Sequence, residues 1–246
     1  MSDSDILRIE DEDGLRRIII NRPERLNAIN NPLAEALLAQ FEGLRRNTDV
    51  RVVVLSGAGR AFTSGADLKA MGTPEALRDG PNGDWVLRDV MKAMRACPQP
   101  VIGLVRGAAA GAGLTLALAC DVIIAGESAA FHSAFIKIGL TGAELGVSWR
   151  LQRTMGISRA REVLLTGEPI LAEEAWRTGL VSKVVPDEEL DAAGLDVARR
   201  MLAAAPDALR FTKRTLDAAL EAPNADVAME IEERGQMLMI RARAGR

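Results

Sequence analysis

Short apolar runs rich in Val and Ile recur along the chain at 17–20, 50–56, 100–105 and 121–125, each bounded by Gly, Pro or Asp. Runs of this length between turn residues predict buried strands. Between them the apolar spacing lengthens to the helical period. Asn30 is placed as an N-cap with Pro32 in the first turn, and Leu33, Leu37, Leu38, Phe41 and Leu44 follow at helical spacing. The stretches 85–95 and 111–119 read the same way. Strands alternating with helices require crossovers, so the pattern predicts an α/β layer fold. After Val185 the strand signal stops, and helices are expected at 187–204, 206–221 and 224–243. The last carries Met229, Ile231, Met237, Leu238 and Ile240 among many charges. That apolar side needs cover, either from its own domain or from a second copy.

Composition narrows the field. A chain of 246 residues with 48% hydrophobic residues has room for one large α/β unit with a helical appendage, divided here into a core at 1–190 and a helical oligomerisation region at 191–246. Lys and Arg total 31 against 34 Asp and Glu, so there is no basic excess to displace counterions from nucleic acid. Residues 1–13 mix acids with a few aliphatics and read as neither a secretory nor a membrane segment. The apolar stretch around 114–118 is broken by Asp121, short of the roughly 20 residues that span a bilayer. A cytoplasmic protein that acts on a small molecule is the expectation. Cys97 and Cys120 lack metal-ligand spacing and read as buried thiols, and with one histidine in the chain no metal centre is expected.

Two glycine-containing segments follow strands and open helices: Ser56-Gly57-Ala58-Gly59-Arg60-Ala61-Phe62-Thr63-Ser64-Gly65-Ala66-Asp67-Leu68 and Gly107-Ala108-Ala109-Ala110-Gly111-Ala112-Gly113-Leu114. Such turns aim free backbone N–H groups at an oxygen. They also serve simply as tight turns with small residues for close packing. Neither matches a dinucleotide loop, because Phe62 stands where the third glycine belongs, nor a P-loop, because the lysine is missing. An NAD-dependent oxidoreductase is therefore disfavoured.

Taken with Asn21-Arg22-Pro23-Glu24-Arg25-Leu26-Asn27-Ala28-Ile29-Asn30 upstream, Ala119-Cys120-Asp121, and later Leu164-Leu165-Thr166-Gly167 and Ala175-Trp176-Arg177-Thr178-Gly179-Leu180-Val181, these segments resemble the crotonase family of enoyl-CoA hydratases and isomerases. The resemblance implies a spiral ββα core with a C-terminal helical trimerisation region, in homotrimers or homohexamers. It implies an acyl-CoA thioester as substrate, with coenzyme A arriving as part of the substrate and no separate cofactor. By motif position Ala66 and Ala112 supply the two N–H donors of an oxyanion hole. Arg25, Leu26, Ala28, Ala66, Asp67, Leu68 and Lys69 line the coenzyme A arm, with Arg25 and Lys69 as phosphate partners unless they are plain solvated cations. Family members commonly carry Gly where this chain has Ala112, so a positive φ there would be strained.

The chain departs from the pattern where hydration chemistry would sit. The two glutamates that handle water in the hydratases correspond to Thr115 and Phe135, and neither side chain can act as a base at neutral pH. Glu144 falls where related isomerases place an acid, and is the candidate acid/base. The plainer reading makes it a helix-start acid. His132 is in a short predicted strand beside the pocket, either as a titrating group or as a structural residue. Asp67 is expected to cap a helix, and Trp85 and Trp149 to pack near the acyl pocket or in the core. The segment 72–84 is expected to border the acyl site. A single carboxylate suits double-bond isomerisation, which moves one proton between two carbons, better than hydration, although hydration is the commoner activity of the family. The reading from another class is an acyl-CoA-binding homologue without turnover.

Overall fold

The computed structural model describes residues 6–68 and 85–244. Lys69 and the segment 72–84 lie outside the described residues. A six-stranded sheet runs in the order β1-β2-β3-β4-β6-β9. Its strands are β1 (Leu7–Glu12), β2 (Leu15–Ile20), β3 (Val52–Gly57), β4 (Val101–Val105), β6 (Val122–Gly126) and β9 (Lys183–Val185). All neighbours pair in parallel except β1, which folds back on β2 as an antiparallel edge. The central strands are buried on both faces, which is why they read as continuous aliphatic runs rather than an alternation. A second, three-stranded sheet has the order β5-β7-β8, from β5 (Ala108–Ala110), β7 (Ala130–His132) and β8 (Pro169–Leu171).

The crossovers are helical. Helix α1 (Asn31–Leu44) starts as expected, with the Asn30 side chain accepting from Leu33 N at 3.2 Å and Pro32 in the first turn. It packs on α2 (Trp85–Ala96), and α3 (Ala112–Leu118) follows β5 and is buried along its whole length. The chain then adds α4 (Val147–Met155), α5 (Ile157–Thr166) and α6 (Ala172–Arg177). Among the described residues there is no strand after β9; a short 3₁₀ turn (Asp187–Glu189) leads into α7 (Leu190–Leu202), α8 (Pro206–Leu220) and α9 (Ala225–Ala244).

The sheet divides the core in two. One face packs Ile18, Ile20, Leu55 and Val105 against α1, α2 and α3 with Leu37, Phe41, Met94 and Leu114. The other packs Val52, Val54, Ile102 and Leu104 against α7 through Leu190 and Ala198. Helix α8 is held to the sheet by Lys213, 6% exposed, whose Nζ lies 2.9 Å from Asp121 Oδ2 and donates to Gln99 O at 3.0 Å. Helix α9 packs on α8 and buries no residue of its own. Both cysteines are buried, and burial raises the pKa of each thiol. Among the described residues no helix is long and apolar enough to cross a membrane, and no cluster of three metal-ligating side chains occurs.

Candidate active site

The site grows from a turn that the apolar pattern does not reveal. After β2 a short 3₁₀ turn (Pro23–Arg25) ends in two consecutive residues at positive φ, Leu26 at 50° and Asn27 at 58°. Asn27 is fully buried. Its Nδ2 donates to Ala58 O at 2.9 Å and Ala61 O at 2.8 Å, and its Oδ1 accepts from Arg22 N at 2.9 Å. The Thr63 hydroxyl, also fully buried, donates to Asn27 O at 2.7 Å and accepts from Gly65 N at 3.1 Å. Every polar atom of this pair is thereby occupied within the protein, as a buried polar cluster requires.

The cluster locks two segments side by side. Ser64 N donates to Leu26 O at 2.9 Å, Ile29 N to Gly65 O at 2.7 Å and Asp67 N to Ile29 O at 2.8 Å. In that parallel register the residues on either side of Ala66 face Ile29, so the Ala66 amide points the other way. On its far side lies the second turn. Ala110 N donates to Thr63 O at 3.1 Å, and Gly111 N to His132 O at 2.9 Å. Gly65 packs so closely on this turn that a side-chain carbon on it would stand 2.3 Å from Ala110 O and 3.3 Å from Ala112 N. The amides of Ala66 and Ala112 are thus neighbours, and neither has a carbonyl partner among the described residues.

The strain expected at Ala112 does not arise. The positive φ belongs to Gly111, at 53°, and Ala112 is the first residue of α3, where a free N–H is normal. Gly111 has its open side against the Phe135 ring, 3.3 to 3.7 Å from where a side-chain carbon would be. Thr115 is buried and donates its hydroxyl back to Ala112 O at 2.8 Å. Where the resemblance implies two glutamates, the chain thus has a ring packed on Gly111 and a hydroxyl bonded to its own helix.

The remaining candidates separate. Leu26, Ala28, Ala66 and Asp67 lie in the two locked segments, with exposed Leu68 at the end, whereas Arg25 is exposed on the preceding turn with no ion-pair partner among the described residues. The Asp67 carboxylate is 3.3 Å from Arg22 Nη1, a guanidinium that also donates to Ala28 O. The expected helix cap cannot be followed past Leu68, but this ion pair accounts for the carboxylate. Glu144 precedes α4 on a half-buried loop that Ser133 Oγ ties to β7 by donating to Gly142 O at 3.0 Å. It stands two residues before the Gly146 N-cap rather than in the first turn of a helix. His132 follows inward-facing Phe131, and its pKa is lowered by burial and then by Lys137, which keeps the ring neutral at pH 7. Trp149 is stacked between Arg95 and Arg153, at 5.1 and 4.1 Å. It lines a cavity of about 470 Å³ with Asp121 and Lys213, near the end of α3 remote from Ala112.

With this geometry in hand, comparison with known proteins is decisive for family. Residues 10–242 match the model of the enoyl-CoA hydratase/isomerase family. A probable enoyl-CoA hydratase of Mycobacterium bovis is 44% identical over 231 residues, covering 92% of this chain and 81% of that protein. The 1,2-epoxyphenylacetyl-CoA isomerase of Escherichia coli is 34% identical over 92% of this chain and 87% of its own length. Among solved structures, a monofunctional enoyl-CoA isomerase from M. smegmatis superposes with a TM-score of 0.78 at 41% identity, covering 92% of this chain and 98% of that one. The chain belongs to the enoyl-CoA hydratase/isomerase family, with the crotonase fold, and is an enzyme of that kind.

Gly65 tests the pairing of the two turns. Gly65→Ala combines a φ of 90° with a clash on Ala110 O, and is expected to cost more than about 2 kcal/mol in urea unfolding and to abolish turnover. Near-wild-type stability and activity would show that the turns are not held this closely.

Proposed function

We propose that the chain binds an acyl-CoA thioester with its carbonyl oxygen between the amides of Ala66 and Ala112, and that the reaction is a proton transfer which shifts a carbon–carbon double bond. The observation that supports this most is that two amides without a carbonyl partner among the described residues sit on turns packed against each other at Gly65. When a proton leaves carbon next to a thioester, negative charge gathers on the carbonyl oxygen. Fixed donors facing that oxygen stabilise the enolate more than the ground state, and each contributes about 2.7–4 kcal/mol. Leu26, Ala28, Asp67 and Leu68 run beside the Ala66 amide and are the residues assigned to the coenzyme A arm, with Arg25 and Lys69 for its phosphates. The coenzyme A of the substrate is the only cofactor the reaction needs.

Glu144 is assigned the proton. Its carboxylate takes a proton from the carbon α to the thioester of a 3-enoyl substrate, the electrons pass into the dienolate, and the same carboxyl group returns the proton to the γ carbon. Atoms and charge balance with one residue. Hydration would require a second group to hold water, and the positions that could supply it carry the helix-bound Thr115 and the Phe135 ring. Glu144→Gln is expected to lower kcat for 3-enoyl-CoA isomerisation by about 10²–10⁴-fold while leaving acyl-CoA binding by calorimetry intact. Undiminished turnover in that variant would remove Glu144 from the mechanism. Hydration of crotonyl-CoA by the wild type at ordinary hydratase rates would reverse the order of the two reactions, and binding without turnover of any acyl-CoA would favour the non-catalytic reading.

The C-terminal helices are assigned to self-association in a trimer or a pair of trimers. Met229, Met237, Leu238 and Ile240 of α9 and Leu216 of α8 are between 43% and 66% exposed in one chain, a large apolar surface to leave in water. Sedimentation is expected to give three or six times the 26.4 kDa of one chain. A single-chain species at micromolar concentration would contradict the assignment.

A further inference from the structure

A second recess lies on the opposite face of the large sheet, where α7 covers it. It occupies about 190 Å³ at the carboxyl ends of β2, β3 and β4, and is lined by Arg8, Arg17, Arg106, Ser56, Asp191 and the turn 57–59. We infer that this recess binds a small phosphate-type anion.

Four observations support the assignment. Ser56 is only 8% exposed, and its hydroxyl exchanges no hydrogen bond with the described residues although it lines the recess. The hydroxyl is therefore open to the recess and available to a ligand. Arg17 Nε is buried without an acceptor among the described residues, while its Nη1 is engaged by Glu10 at 2.9 Å. Asp191 sits loosely between Arg17 Nη2 at 3.9 Å and Arg106 Nη2 at 3.6 Å, too far for a good hydrogen bond to either. Arg8, from the edge strand, has no ion pair with the described residues. Three guanidinium groups against the carboxylates of Glu10 and Asp191 leave one positive charge over.

The donors arrive from β1, β2, the end of β3 and the residue after β4, neighbouring strands of the large sheet. Guanidinium groups bind phosphate oxygens through charge-assisted hydrogen bonds. The volume is about six waters at roughly 30 Å³ each, below the 300 Å³ or so where sites for larger ligands begin, so a phosphate group fits and an acyl-CoA does not. The carboxyl ends of parallel strands are also where open α/β sheets bind ligands. The site is separate from the thioester site, because Ser56 and Leu104 face α7 whereas Leu55 and Val105 face the other layer.

Inorganic phosphate is the probe, titrated calorimetrically into the full chain against chloride at constant ionic strength so that general screening cancels. One saturable site per chain is expected in the wild type. Ser56→Ala is expected to weaken it about tenfold and Arg8→Gln at least threefold; Arg8 is exposed on an edge strand, so that variant folds. Absence of saturable binding overturns the proposal. So does unchanged affinity in both variants, or displacement of phosphate by free coenzyme A, which would place the anion in the thioester site.

Discussion

The site depends on one constraint: a fully buried asparagine and threonine that hold two loops in fixed register. Asn27 ties the turn after β2 to Ala58 and Ala61 across 31 and 34 residues of chain, and Thr63 carries the tie on to Gly65 N. Because Ile29 takes up the carbonyl of Gly65 and the amide of Asp67, the Ala66 amide between them has one direction left. Breaking the cluster would leave buried polar atoms unsatisfied, at about 1–3 kcal/mol each, so the register is strongly specified. The donor proposed here belongs to the backbone, and its direction is set by the bonds to Ile29 together with the Asn27–Thr63 cluster.

The second donor is positioned differently. Gly111 takes the left-handed conformation that turns the chain into α3, and Ala112 inherits a free amide as the first helical residue. Ala is tolerated there since its own φ is ordinary, even though the resemblance led one to expect strain. The same turn is sealed by Phe135, and Thr115 spends its proton on the helix backbone. Neither side chain offers a base for water, which is the physical ground on which carbon-to-carbon proton transfer is proposed.

Much of this was legible in the sequence, and the exceptions share a cause. Strands β2, β3, β4 and β6 are double-faced and aliphatic, so their pattern is visible. The edge strand β1 buries only Leu7 and reads as an acidic tail. Strands β5, β7, β8 and β9 are three residues long, too short to show a period, although the segment around His132 was read as a strand. The two glycine-containing turns and the Thr115 and Phe135 positions were visible as motifs. The roles of Asn27, Thr63 and the Arg22–Asp67 pair were not, because each comes from contacts between distant segments and no local spacing encodes them. Polar residues embedded in otherwise apolar turns were the one available signal.

The central claim is that two amides polarise a single thioester carbonyl, and vibrational spectroscopy reads that bond directly. An enoyl-CoA labelled with ¹³C at the thioester carbonyl, bound to the protein, should show its carbonyl stretch at lower frequency than in water, as two fixed donors draw charge onto oxygen. A bound ligand whose carbonyl stretch stays at or above its solution frequency would contradict the account.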